Sequence, residues 1–231
     1  AEAIGAKINS WWWRVMYPPK DKEALVRFVQ TLVSHYRGQI RFWEYLNEPF
    51  YTVFSLPNTN QTDVAINELP GANFTVPDYV SLLKTFYETS KAADPGARVV
   101  GGLCGRPDLL TDEFFEAGGL NYVDIFNLHI YPGLRKPEAY IGQMKELLRN
   151  MEARAGTRKP IWVTECAYFA REAAPWTPFI FGPAQWADVR SVRDERQCAD
   201  YTVRFDVIML AHGVQRIFYE SGIPVSCEAN D

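Results

Sequence analysis

Hydrophobic runs and amphipathic stretches alternate along most of the chain. Short apolar runs typical of buried strands occupy residues 40–46, 97–102, 123–131, 160–165 and 216–220. Between them, apolar side chains recur at helical spacing over residues 21–38, 75–94, 111–118, 137–155 and 195–212. Strands that alternate with helices in this way favour a parallel sheet flanked by helices.

Polar residues at the starts of these stretches predict where the helices begin. Asp21 is expected to cap the first helix, whose apolar stripe includes Phe28. Thr75 and Asp78 have the spacing of a capping box, and Thr111 is expected to cap the short third helix.

The number of strands sets the size of the predicted barrel. A closed (β/α)8 barrel needs eight strands and about 250 residues, whereas this chain of 231 residues offers five clear runs and one doubtful one at residues 3–8. We therefore predict one α/β catalytic domain over residues 1–231, a TIM (β/α)8-type barrel in partial form. Its first one or two βα units and its last helix are expected to be missing, which would make the chain a fragment of a longer barrel.

Two long loops leave the predicted strands at residues 50–74 and 166–194. Loops of this length in compact domains are usually functional, and the second contains Trp176 among several aromatic residues. Near the start of the chain, Trp12 lies in a run of three adjacent tryptophans. That run is either a substrate platform or a local aromatic cluster, and the sequence does not decide between them.

Composition and charge exclude several kinds of partner. The net charge of −4 offers no basic field for nucleic acid. No apolar run approaches the roughly 20 residues that cross a bilayer, so we expect a soluble protein, either cytoplasmic or secreted after signal-peptide removal. The sequence has no glycine-rich dinucleotide motif and no paired cysteines at metal spacing, so no cofactor or metal is predicted. Free thiols are expected for the four cysteines, with one disulfide as the alternative.

Two of the apolar runs end in a glutamate, Glu48 after the first and Glu165 after the fourth. Parallel barrels hold their catalytic residues at the carboxyl ends of the strands. A retaining glycosidase needs two carboxyl groups about 5–5.5 Å apart, one protonated and one ionised. Glu48, between Asn47 and Pro49, suits the acid/base, and Glu165 suits the nucleophile.

Further polar and aromatic residues near these strand ends complete the predicted substrate-binding set. Asn47 precedes the predicted acid/base, and His129 and Tyr131 share one face of their strand because they are two residues apart. Tyr131 is expected to donate a hydrogen bond to the nucleophile. Trp162, in the same run as Glu165, joins Trp12 and Trp176 as a candidate sugar contact.

Three motifs follow one another along the chain: Phe-Trp-Glu-Tyr-Leu-Asn-Glu-Pro at residues 42–49, His-Ile-Tyr-Pro at 129–132 and Trp-Val-Thr-Glu at 162–165. In this order they resemble the clan A glycoside hydrolases, most of all the β-xylosidase and α-L-iduronidase family, with the cellulase-like family next. The resemblance covers residues 18–220. It implies a (β/α)8 fold, a carbohydrate substrate, Glu48 as acid/base at the end of strand four and Glu165 as nucleophile at the end of strand seven.

The chain departs from the clan's pattern at two places. The arginine that clan members hold near the nucleophile cannot be matched to Arg14, Arg106 or Arg171. The last strand ends in Tyr219 and Glu220, where the clan usually has an aromatic platform.

Two other functions remain open from the sequence. A metal-dependent hydrolase would use Glu48, His129 and Glu165 as ligands, although three histidines without a His-x-His pair are few for such a site. A non-catalytic carbohydrate-binding barrel, or an inactive fragment, would keep the aromatic loops without an organised acid/base. The oligomeric state is not indicated, but an open sheet edge is expected to favour low solubility or oligomers.

Overall fold

The computed structural model describes residues 21–50, 73–156, 158–171 and 191–220. The doubtful strand at residues 3–8, Trp12, Trp176 and most of both long loops lie outside these ranges. The helices are α1 (Lys22–His35), α2 (Val76–Ala93), α3 (Thr111–Glu116), α4 (Ala139–Ala155) and α5 (Glu195–Ala211), with a 3-10 turn at Gly119–Tyr122. The strands are β1 (Phe42–Glu44), β2 (Arg98–Gly101), β3 (Ile125–Ile130), β4 (Ile161–Cys166) and β5 (Val214–Tyr219).

The five strands form one sheet in the order β1-β2-β3-β4-β5. The pairs β1–β2, β2–β3 and β4–β5 are parallel, with Trp43 opposite Val99 and Gly101 opposite Phe126. Consecutive strands are joined by crossovers that contain helices, which is the topology of a (β/α) barrel. The predicted α/β fold, a barrel in partial form, is confirmed.

The chain divides into two compact units, and β3 and α4 contribute to both. The first unit contains α1, α2, α3, β1, β2, the start of β3 and the end of α4. The second contains the end of β3, most of α4, β4, α5 and β5.

Capping residues fix the starts of three long helices. Asp21 accepts the Glu23 backbone N–H at the start of α1, and Thr75 and Asp78 form the predicted reciprocal capping box of α2. Asp194 accepts the Gln197 N–H at the start of α5. These side chains satisfy backbone donors that have no partner within the first turn of a helix.

Two local predictions are wrong. Thr111 does not cap α3, because the cap position is taken by Leu110 in a left-handed conformation (φ 53°) and the Thr111 hydroxyl donates to the Pro107 carbonyl. Phe28 is 64% exposed on α1, whereas its neighbour Val29 is buried. The helical stripe is therefore narrower than the apolar residues of α1 suggest.

In the first unit, the buried face of α2 packs against β2 and α3. Tyr79 is fully buried and packs near Phe114, which in turn contacts Phe126 of β3. Immediately before β3, Asp124 accepts hydrogen bonds from Lys91, Arg98 and the Val99 backbone. These bonds keep the pKa of Asp124 below its ordinary value even though burial opposes the shift.

The second unit is built on an aromatic cluster between α4 and α5. Phe205 of α5 packs edge-on against Tyr140 and Tyr168, and Tyr168 packs edge-on against Tyr201. On the other side of α5, Val203, Val207 and Leu210 form an apolar stripe in which every side chain is more than half exposed.

None of the described helices combines the length and apolar character that spanning a bilayer requires.

Candidate active site

Glu48 stands on a strained turn directly after β1. Its φ is 41° and that of Leu46 is 53°, so two residues with side chains occupy the left-handed region on either side of Asn47. Each such residue costs on the order of 1–3 kcal/mol and persists only where the surroundings impose it. Strain of this kind at the carboxyl end of a barrel strand points to a functional turn.

Aromatic packing holds this turn at its entry and its exit. Before the turn, Tyr45 stacks on Tyr79 and on Phe86 at 4.8 Å between centroids. After the turn, Phe50 is buried and packs edge-on against Tyr79. The Tyr79 hydroxyl donates to the Gly102 carbonyl at 2.7 Å, which ties the turn to the end of β2. Burial raises the pKa of Tyr45 to about 12 and that of Tyr79 well above its ordinary value, so both phenols stay neutral.

A polar cluster lies under the same turn. Asn127 of β3 is fully buried, and its amide donates to Glu44 Oε1 and to the Cys104 sulphur at 3.1 Å. The Cys104 Sγ lies 3.5 Å from the Leu46 carbonyl and 3.8 Å from Glu44 Oε1. Burial and the Glu44 carboxylate raise the pKa of this thiol well above its ordinary value.

Glu165 lies near the carboxyl end of β4, in the second unit, with two hydrogen-bond donors on its carboxylate. His129 Nδ1 lies 3.3 Å from Glu165 Oε2, while its Nε2 lies 3.1 Å from the Thr164 hydroxyl. An ionised carboxylate only accepts, so the contact with Glu165 requires the proton on Nδ1. The other oxygen, Oε1, accepts from the Tyr131 hydroxyl.

Tyr131 also contacts a second carboxyl group. Its hydroxyl lies 2.8 Å from Glu220 Oε2, just after β5. A phenol has one proton and donates to one acceptor at a time. When Tyr131 donates to one of the two glutamates, its contact with the other is favourable if that carboxyl group is protonated and donates to the phenol oxygen. Burial first, and then the two glutamates, raise the pKa of Tyr131 far above its ordinary value, which keeps the phenol protonated.

The segment after Glu165 is anchored beside Tyr131. Phe169 lies parallel to the Tyr131 ring at 6.3 Å between centroids. Ala170 and Val192 form a parallel bridge, in which the Val192 N–H donates to the Phe169 carbonyl and the Arg171 N–H to the Val192 carbonyl. The two ends of the predicted second long loop are thus joined at its base.

Three of the predicted site residues lie together in the second unit. His129 and Tyr131 both contact the Glu165 carboxylate. Asn47 is exposed beside Glu48 in the first unit. Trp162 is buried, with Arg216 over its ring at 4.8 Å and Phe218 beside it, so its described contacts are packing contacts. Sugar binding by Trp162 stays a prediction, as do the roles of Trp12 and Trp176.

Sequence reasoning missed several polar members of these groups. Cys104 and Asn127 carry no motif of their own, and Glu44 lies in the Phe-Trp-Glu-Tyr-Leu-Asn-Glu-Pro motif but was not singled out. Glu220 was noted only as a departure from the clan's pattern. A signal was present for Thr164, because it belongs to the Trp-Val-Thr-Glu motif that carries Glu165.

The comparisons with known proteins identify the family and support the fold. Residues 7–177 match the family model described as glycosyl hydrolase catalytic core. The chain belongs to this family. No curated protein matches it. The three cysteines within the described residues, Cys104, Cys166 and Cys198, are free thiols, as the sequence predicts for them; Cys227 lies outside those residues.

Solved structures of clan A glycoside hydrolases share the fold. A family 39 β-xylosidase from Caulobacter crescentus is 19% identical with a TM-score of 0.54, over 88% of this chain and 39% of that one. A family 39 glycoside hydrolase from the gut symbiont Bacteroides cellulosilyticus is 16% identical with a TM-score of 0.59, over 89% of this chain and 40% of that one. A family 44 xyloglucanase from Paenibacillus polymyxa is 14% identical with a TM-score of 0.52, over 84% of this chain and 45% of that one. The chain therefore spans less than half the length of these neighbours.

Proposed function

We propose that this glycosyl hydrolase domain cleaves O-glycosidic bonds with retention, through a covalent intermediate on Glu165. The observation that carries the proposal is the pair of donors on this carboxylate, His129 Nδ1 on one oxygen and Tyr131 Oη on the other. Donors directed at the charged form favour ionisation. A nucleophilic carboxylate needs this protonation state when the substrate arrives.

Glu48 is the proposed acid/base. In the first step it protonates the departing oxygen while a Glu165 oxygen attacks the anomeric carbon, which forms the glycosyl-enzyme ester and breaks the glycosidic bond. In the second step Glu48 takes a proton from water, the water oxygen attacks the anomeric carbon, and the Glu165 carboxylate leaves. Asn47, beside Glu48, would donate to a ring hydroxyl whose hydrogen bond strengthens as the oxocarbenium-like transition state forms.

The proposed substrate is a β-linked oligosaccharide or polysaccharide of plant or microbial origin. The support is that the neighbours named above include a β-xylosidase and a xyloglucanase. A screen of aryl glycosides and oligosaccharides would identify the sugar, the linkage and the exo or endo mode.

Azide trapping tests the two roles. With an activated aryl β-glycoside, Glu48→Ala should still form the glycosyl-enzyme, and added azide should release a β-glycosyl azide. Glu165→Ala should lose turnover by several orders of magnitude, and azide in the emptied position should give the α-glycosyl azide. The reverse pattern of anomers would mean that the two roles are exchanged. Turnover by the unaltered protein with undiminished activity in both variants would refute the pair.

A further inference from the structure

The Cys104 thiol lies against both ends of the turn that presents Glu48. Its sulphur is 3.5 Å from the Leu46 carbonyl oxygen, before the turn. It also faces the Glu48 backbone N–H, after the turn, and that hydrogen bond lowers the pKa of the thiol against the larger effect of burial. One side chain thus contacts the two residues that flank Asn47.

The hydrogen-bonding capacity of a thiol matches these neighbours. A neutral S–H has one proton to donate and a sulphur that accepts weakly. The Leu46 carbonyl is its nearest acceptor, and the Asn127 amide at 3.1 Å and the Glu48 N–H are donors to the sulphur. Burial at 1% exposure keeps the proton on the sulphur. The thiol therefore stays a donor, which a thiolate is not.

The turn needs such contacts because its backbone is strained. Leu46 and Glu48 both have positive φ, and so does Cys104 itself at 51°. None of the three is glycine, so local preference disfavours this conformation at each position. A conformation of this kind is kept by contacts that would be lost on relaxation.

We propose that Cys104 is a positioning residue that holds the Leu46–Glu48 turn and thereby directs the Glu48 carboxyl group. It acts through the backbone of the turn and does not touch substrate. Its effect on catalysis rests on the proposed function of Glu48, whereas its effect on the turn does not.

The turn can be tested without any activity. The Glu48 amide should be protected from hydrogen exchange in the unaltered protein, and Cys104→Ala should speed its exchange by about tenfold or more. Cys104→Ser, which keeps a donor and an acceptor, should restore part of the protection. Cys198→Ala is the matched control, because Cys198 is also a buried free thiol and its sulphur lies 3.3 Å from a backbone carbonyl, that of Tyr168. An unprotected Glu48 amide in the unaltered protein, or equal changes in Cys104→Ala and Cys198→Ala, would overturn the proposal.

The consequence for catalysis is tested with two leaving groups. A misplaced acid/base should lower kcat/KM most for substrates whose departing oxygen needs a proton. Cys104→Ala should therefore lower kcat/KM at least about tenfold more for an unactivated phenyl glycoside than for a dinitrophenyl glycoside. Cys104→Ser should recover part of this difference, and Cys198→Ala should show none.

The two tests separate the proposal from the proposed function. Equal losses for both glycosides in Cys104→Ala would overturn the positioning role if Glu48→Ala shows the leaving-group dependence. If Glu48→Ala lacks that dependence, the acid/base assignment fails, and hydrogen exchange at Glu48 alone decides whether Cys104 holds the turn.

Discussion

Replacing Tyr131 by phenylalanine removes a single oxygen from the group around Glu165. The lost hydroxyl donates to Glu165 Oε1 and lies 2.8 Å from Glu220 Oε2. The ring that packs beside Phe169 is kept. Glu165 then loses one of its two described donors, and two carboxyl groups face the space that the hydroxyl filled.

The size of the effect follows from the charge of the acceptor. A hydrogen bond to a charged group contributes about 1.5–3 kcal/mol. If that bond is needed in the transition state, kcat/KM should fall about 10- to 150-fold. The free energy of unfolding should change less than the lost hydrogen bond alone would suggest. The substitution also removes the cost of burying the phenol oxygen, which offsets part of the loss.

Tyr168→Phe is the matched control in the same unit. Its hydroxyl donates to a neutral acceptor, the Arg135 carbonyl at 2.9 Å, and its ring is buried. This variant should lose about 1 kcal/mol of stability and little activity. The assay is kcat/KM on an aryl β-glycoside for both variants, together with urea unfolding. A Tyr131→Phe enzyme that loses no more activity than Tyr168→Phe would refute the role of the phenol at Glu165.

Three further predictions concern stability and association. Gly102→Ala should destabilise the protein by about 1–3 kcal/mol in urea unfolding, because the new Cβ would lie 2.7 Å from Asn127 Oδ1. Its control, Gly142→Ala, places a Cβ in open space on α4 and should stabilise the protein by about 0.5–1 kcal/mol. Lysine at Val203 and Val207 should reduce self-association in sedimentation without lowering the unfolding midpoint, since both side chains are exposed. The folded-state pKa of Cys166 is raised from 9.0 to about 12, mainly by burial. Its stabilising contribution is therefore complete below pH 9 and falls by about 1.4 kcal/mol per pH unit between pH 9 and about 12, a decline that Cys166→Ser should make shallower.

The helices and strands were predictable where local signals and burial agree. The capping box at Thr75 and Asp78 and the apolar stripe of α2 point to the same helix, and each is present. Strand β3 is buried at every position, as its mostly apolar sequence indicates, although Asn127 and His129 are buried with it. The errors at Phe28 and Thr111 occur where neighbouring elements decide which side of a helix is covered and how a chain enters it.

The site was predictable only in part. Glu48 and Glu165 could be named because a carboxylate at the end of an apolar strand is visible in the sequence, and His129 and Tyr131 because their spacing of two places them on one face. The contact of Tyr131 with Glu165 was also predicted, and the structure contains it. Glu220 and Phe169 could not be foreseen as its neighbours, because their approach depends on how the chain continues after β4 and β5.

The polar residues packed against the Glu48 turn show why such a cluster cannot be recognised from the sequence. Glu44, Cys104 and Asn127 meet because β1, β2 and β3 are neighbours in register, with Glu44 opposite Val100 and Gly101 opposite Phe126. The same register brings Gly102 so close to Asn127 that a side chain there would collide with it. An absent side chain therefore makes room for a buried amide, the amide donates to a thiol, and the thiol contacts the backbone on both sides of Asn47. No member of this series was predicted as a site residue, yet together they hold a backbone conformation that Leu46 and Glu48 would not adopt alone.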